Sequence, residues 1–212
     1  MDLHRIDIKR TGLLFFDVLN GYYHGASEAA KERKRPMVEN GVRLMRAARK
    51  VEMPIFFARG QRRRDEGVTA LLLTDTNIPL KPWPNGVVTM VHAATIEGEN
   101  SSEVIPELEP SPGDYHIPKY RWSAFHQTYL DQALRTRKID TIIISGGSTD
   151  VGIAATVFAG RDLDYNFIVV RDACATNHDQ RAHDVLMDLI FPRMSRVRTT
   201  DQVLEMIRQA SS

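Results

Sequence analysis

Four short runs along the chain are apolar almost without interruption: Gly12 to Val18, Pro54 to Ala58, Thr141 to Ser145 and Phe167 to Val170. Half-exposed strands alternate apolar and polar residues, so unbroken runs fit strands covered on both faces. Shorter strands are predicted at Tyr115 to Ile117 and after Arg196. Between the strands the apolar spacing becomes helical. Met37 to Val51 sets Val38, Val42, Leu44, Met45 and Ala48 on one stripe. Ser123 to Arg137 opens on a candidate N-cap and carries Phe125, Tyr129, Leu130 and Leu134. Thr156 to Leu163, Arg181 to Ile190 and Asp201 to Ile207 extend the series. Alternating strands and helices predict an α/β fold, a three-layer α/β/α sandwich on a mostly parallel sheet of about six strands.

One segment breaks the rhythm. Gly60 to Gly113 holds six of the ten prolines and has little periodicity, yet Leu71 to Leu73, Trp83, Val87, Val88 and Ile105 are too apolar for free coil. An ordered excursion from a single domain spanning 1–212 is expected, of the kind used for lids or partner contacts.

With 42% hydrophobic and 26% charged residues the composition is that of a globular protein, and 212 residues suffice for a core without staples. A net charge of +1 gives no electrostatic case for nucleic acid or an anionic membrane. The local excess Arg62-Arg63-Arg64 is followed by Asp65 and Glu66 and is read first as a solvated loop. The single cysteine, Cys174, rules out an intrachain disulfide and a thiolate metal cluster. The charged start MDLHRIDIKR lacks a signal-peptide core, and no run approaches a membrane span of roughly 20 apolar residues, so a cytoplasmic location is expected.

In open parallel sheets ligands bind beyond the carboxyl ends of the strands. Asp17 stands at the end of Leu13-Leu14-Phe15-Phe16, a candidate proton carrier, although an Asp here could equally turn the chain or cap an N–H. Lys119 follows the Tyr115 to Ile117 strand and could partner that carboxylate or meet a substrate's. Between strand and helix lies Gly146-Gly147-Ser148-Thr149-Asp150-Val151-Gly152, a turn suited to presenting backbone N–H groups to an anion. It matches neither a phosphate loop nor GxGxxG, and no phosphate-binding glycine loop follows the first strand, which disfavours a flavodoxin-like or Rossmann nucleotide-binding domain.

Together these segments resemble the isochorismatase-like hydrolases, or cysteine hydrolase superfamily. The resemblance runs over nearly the whole chain: LLFFDVLNGY around Asp17, the Pro54 to Phe57 strand, LTDT at Leu73 to Thr76, GDYHIPKYRWSAFHQTYLDQAL, TIIISGGSTDVGIAAT and FIVVRDACAT. The string K-x-R-x-S-A-F at Lys119 to Phe125, followed by the glycine-rich turn, is its most specific part. The resemblance implies Asp17 and Lys119 as two members of a catalytic triad. The third, a nucleophilic cysteine after T-D-V, falls on Gly152. It also implies a cis peptide at Gly147-Ser148, oxyanion-type N–H donors at Ser148 and Gly152, and a homodimer or homotetramer in which Trp83 or the Gly60 to Gly113 excursion completes a neighbour's site. The relatives' D-x-H metal motif is replaced by Ala58-Arg59-Gly60-Gln61, so neither metal nor cofactor is expected.

Glycine offers no nucleophile. One branch of the family, the isochorismatases, also has glycine here and protonates an enol-ether carbon before water adds. Their Tyr-Ala-His turn is Ser148-Thr149-Asp150 in this chain, closer to the amidohydrolase branch. Three readings therefore stand: a thiol-independent hydrolase working through Asp17, an amidase-type enzyme whose nucleophile is lost or was mutated, or a binding protein on the same fold. The substrate is expected to be a small molecule. Arg59, Arg62 to Arg64, Arg121 and Lys119 are candidate carboxylate receivers, and Tyr22, Trp83, Trp122 and Phe125 are candidate walls for a flat ring.

Overall fold

The computed structural model describes residues 3–63, 95–177 and 179–211. Among these residues six strands form one all-parallel sheet: β1 (Thr11–Phe16), β2 (Ile55–Gly60), β3 (Tyr115–Lys119), β4 (Thr141–Gly147), β5 (Asn166–Ala175) and β6 (Arg196–Arg198), in the order β3-β2-β1-β4-β5-β6. The chain builds outward from β1 to β3, then returns to the other side of β1 with β4. That reversal makes a crevice at the carboxyl ends of β1 and β4, where α/β sheets bind ligands.

Helices α1 (Glu28–Lys50), α2 (Leu130–Thr136), α3 (Ala154–Asp162), α4 (Gln180–Val185) and α5 (Thr200–Ala210) cover the sheet. Every residue of β1 is buried, and its side chains divide by the strand period of two. Leu13 and Phe15 join the layer under α1 and α5, with Leu44, Met45, Val203 and Met206. Leu14 and Phe16 enter the opposite layer, with Leu130, Leu134, Ile144, Ile153 and Val157. The unbroken apolar run is the signature of this two-sided burial.

Two helix boundaries differ from the expected ones. The apolar stripe places the first helix at Met37 to Val51, just after Pro36, and proline costs about 3 kcal/mol in a helix interior. Instead α1 begins nine residues earlier than Met37, at Glu28, capped by the Ser27 hydroxyl on the Ala30 N–H, and runs through Pro36. The extra turns bring Lys34 to the crevice. Conversely, Ser123 does not cap a helix, since α2 starts only at Leu130. From Ser123 to Tyr129 local side chains satisfy the backbone: Ser123 Oγ accepts from Phe125 N–H at 3.1 Å, and Thr156 Oγ1 accepts from Ala124 N–H at 2.9 Å.

The described part of the excursion is packed. Val104, Ile105 and Leu108 enter the core, and Leu19 bridges antiparallel to Val104. Leu71 to Leu73, LTDT and Trp83 lie outside the described residues.

Candidate active site

Beyond Phe16 the chain leaves β1 through Asp17, whose φ of 52° lies in the left-handed region uncommon for a non-glycine residue. Asp17 thus stands one residue past the strand rather than within it. Each carboxylate oxygen has a donor. Lys119 Nζ, from the end of β3, approaches Oδ2 at 2.8 Å, and the Gly60 N–H, from the end of β2, donates to Oδ1 at 2.6 Å. The side chains are 13% and 5% exposed, so the ion pair is largely shielded from water. A Cβ at position 60 would come within 2.9 Å of Asp17 Oδ1, which is why the residue under the carboxylate is glycine.

The turn after β4 forms the opposite wall. Gly147-Ser148 is a cis peptide, and Thr149–Ile153 makes one wide helical turn that leads into α3. Gly146, with φ of 119°, lies where β4 passes Phe16: an added Cβ would meet the Phe16 carbonyl oxygen and come within 2.8 Å of its N. Ser148 Oγ donates to Asp150, and Thr176 Oγ1 donates to the same carboxylate oxygen at 2.7 Å. Beneath the turn, buried Thr149 hydrogen-bonds His183 Nδ1 at 2.9 Å.

Between these walls is a cavity of about 220 Å³, small beside the roughly 300–1,000 Å³ usual for drug-sized ligands. Asp17, Lys119, Tyr22, Arg121, Trp122, Gly147, Ser148 and Gly152 all line it. Tyr22 has its phenol held above the usual range, first by burial and then by the Asp17 charge, so it is a proton-bearing donor at neutral pH. Trp122 is 53% exposed at the cavity's edge.

Three expectations about side chains are revised. Phe125 does not reach the cavity but stacks on Tyr165 with ring centroids 5.4 Å apart. Arg59 points to the excursion, donating to the Ser102 carbonyl and to Glu103 at 2.7 Å. Arg62 is more than a solvated loop residue: it is half-buried, pairs with Ile96 in a parallel bridge and lines the cavity. Trp83 and Arg64 lie outside the described residues. Cys174 is buried within β5, where burial pushes its thiol well above the usual range.

Lys34 was not singled out from the sequence. Its ammonium donates to the Tyr22 carbonyl at 2.8 Å and lines the cavity, and its pKa is lowered first by burial and then by Arg33. Nothing in the charged string Lys31 to Arg35 distinguishes it from solvated neighbours. By sequence Phe16 reads as an ordinary strand residue. Its ring in fact lines the cavity floor, with Lys119 Nζ 4.3 Å from the centroid.

The uncharacterized isochorismatase family protein YwoC of Bacillus subtilis is 38% identical over 107 residues, covering 50% of this chain and 56% of that one. A ureidoacrylate amidohydrolase, RutB, of Pseudomonas savastanoi pv. phaseolicola is 33% identical over 95 residues, covering 42% and 39%. The matched stretches thus take in only about half, or less, of these relatives' length. Among solved structures, an isochorismatase family protein from Burkholderia thailandensis superposes with a TM-score of 0.78 at 26% identity, covering 96% of this chain and 98% of that one. The isochorismatase domain matches residues 11–202, nearly the whole sheet and its helices, and the chain belongs to the isochorismatase family.

Proposed function

We propose that the chain is a small-molecule hydrolase that moves protons through Asp17 and uses no protein thiol. The observation that carries this reading is the Asp17 carboxyl group, bonded on one oxygen by Lys119 and on the other by the Gly60 N–H, facing Gly152 across the cavity. A protonated Asp17 would give its proton to an enol-ether carbon or a leaving nitrogen. Lys119 stabilises the carboxylate left behind. Water then adds to the electron-poor carbon, and Asp17 takes back a proton as the adduct collapses. Ser148 and Gly152 would offer backbone N–H groups to a developing oxyanion. The surrounding cations Lys34, Arg62 and Arg121 favour a substrate carrying negative charge. Self-association is part of the same reading, supported by the exposed Trp122 beside the cavity.

A second reading, an amidohydrolase whose nucleophile is lost, is favoured by the GGSTDV turn and by the likeness to a ureidoacrylate amidohydrolase. A panel of enol ethers, amides and ureides, assayed by product mass, tests both. Turnover of any member should fall about 10²–10⁴-fold in Asp17→Asn. Undiminished turnover in that variant would contradict the proton-carrier role.

A further inference from the structure

We propose that Phe16 determines which chemistry this site can perform, because its ring occupies the space that any side chain at position 152 would need. This deepens the reading of Gly152 as the nucleophile's place, and rests on it. A Cβ built on Gly152 falls on the Phe16 ring, overlapping Cε1 and Cζ and lying 3.3 Å from Cδ1. Carbon atoms in contact sit about 3.5–4.0 Å apart, so even alanine overlaps here, and a thiol reaches further in. Away from the cavity the ring has little room to retreat. It is 1% exposed and packed in the layer with Leu14, Ile144 and Ile153, while the Lys119 ammonium lies on it at 4.3 Å.

The fit is two-sided. Phe16 sets two of the three glycines of the turn wall, Gly146 through its backbone and Gly152 through its ring, while Gly147 meets the Ala175 carbonyl oxygen. A glycine left by simple loss of a cysteine would face a gap. This one faces an aromatic ring that also backs the ammonium holding Asp17. Phe16 is therefore a specificity-determining residue: it excludes a covalent nucleophile from position 152 and supports the ion pair that remains. Position 152 can carry a thiol without strain only after position 16 becomes smaller.

A double-mutant cycle on the whole protein tests this with thermal unfolding and alkylation, both read without substrate. Gly152→Cys should lower Tm by about 4–10 °C through overpacking, and Phe16→Val should lower it through the space it vacates. The double variant Phe16→Val/Gly152→Cys should regain most of the loss seen in Gly152→Cys. Its new thiol should be captured by iodoacetamide while Cys174 is spared, as the intact mass would show. Should Gly152→Cys not be recovered folded, Gly152→Ala with and without Phe16→Val supplies the same comparison. Gly152→Cys at the wild-type Tm, or a double variant losing the sum of the two single effects, would overturn the proposal. Because the cycle reads packing, it can fail while Asp17 remains the proton carrier, and it can succeed if Asp17→Asn proves active.

Discussion

The two walls of the cavity are built from different materials. The Asp17 wall is made from three strand ends, two charged side chains and one backbone N–H, so that each oxygen of the carboxylate is met by a donor. The wall after β4 presents glycine and backbone at Gly147 and Gly152, and its polar side chains Ser148, Thr149 and Asp150 bond to one another or to Thr176 and His183. The first wall can transfer protons and hold charge. The second can orient and donate N–H groups, but it offers no nucleophile at Gly152. The proposed chemistry divides the same way, with proton transfer at one side and anion stabilisation at the other.

The contrast can be broken from either side. The largest effect on stability is expected at the charged wall. Lys119→Met removes the partner of a shielded carboxylate and should cost about 3–5 kcal/mol in chemical denaturation, because Asp17 keeps only the Gly60 N–H. At the turn wall the backbone is the sensitive element. Gly146→Ala combines a left-handed φ with overlap on Phe16 and should cost about 3 kcal/mol, whereas Gly113→Ala, which meets nothing within 4 Å, should stay within about 0.5 kcal/mol. Equal effects at the two glycines would remove the turn's claim to tight construction.

The smallest effect concerns the support beneath the turn. Burial holds His183 below the usual histidine range; Arg171 adds to this, while Asp184, Asp150 and Asp188 oppose it. The unfolded chain therefore takes up this proton first as pH falls. The stability contributed by the neutral ring and its Thr149 bond is full above about pH 6.5 and is lost on acidification toward the lower folded value. Wild type should lose more Tm than His183→Asn between about pH 7.5 and 5.5, and identical losses would show that His183 does not contribute.

The sheet was legible because its strands are buried on both faces, which leaves runs such as LLFF and TIIIS that little else produces. Asp17, Lys119 and the glycine turn were legible because strand ends concentrate polar groups after apolar runs. What escaped depends on three-dimensional packing. Lys34 reaches the cavity only because α1 continues through Pro36, against the local preference of proline. Phe125 looked like a wall by sequence proximity to Lys119, but turns held by Ser123 and Thr156 direct it to Tyr165. Phe16 carries no chemical signal at all. Its importance comes from the one contact that sequence spacing cannot show, a β1 ring lying against a glycine 136 positions later.

The most direct test of thiol-free proton chemistry compares wild type with Asp17→Asn in one hydrolysis assay, before and after iodoacetamide, with intact mass recording alkylation. The account predicts full wild-type turnover after treatment, an unmodified Cys174, and a loss of about 10²–10⁴-fold in Asp17→Asn. Wild-type activity that disappears in step with alkylation, or Asp17→Asn turning over at the wild-type rate, would contradict it.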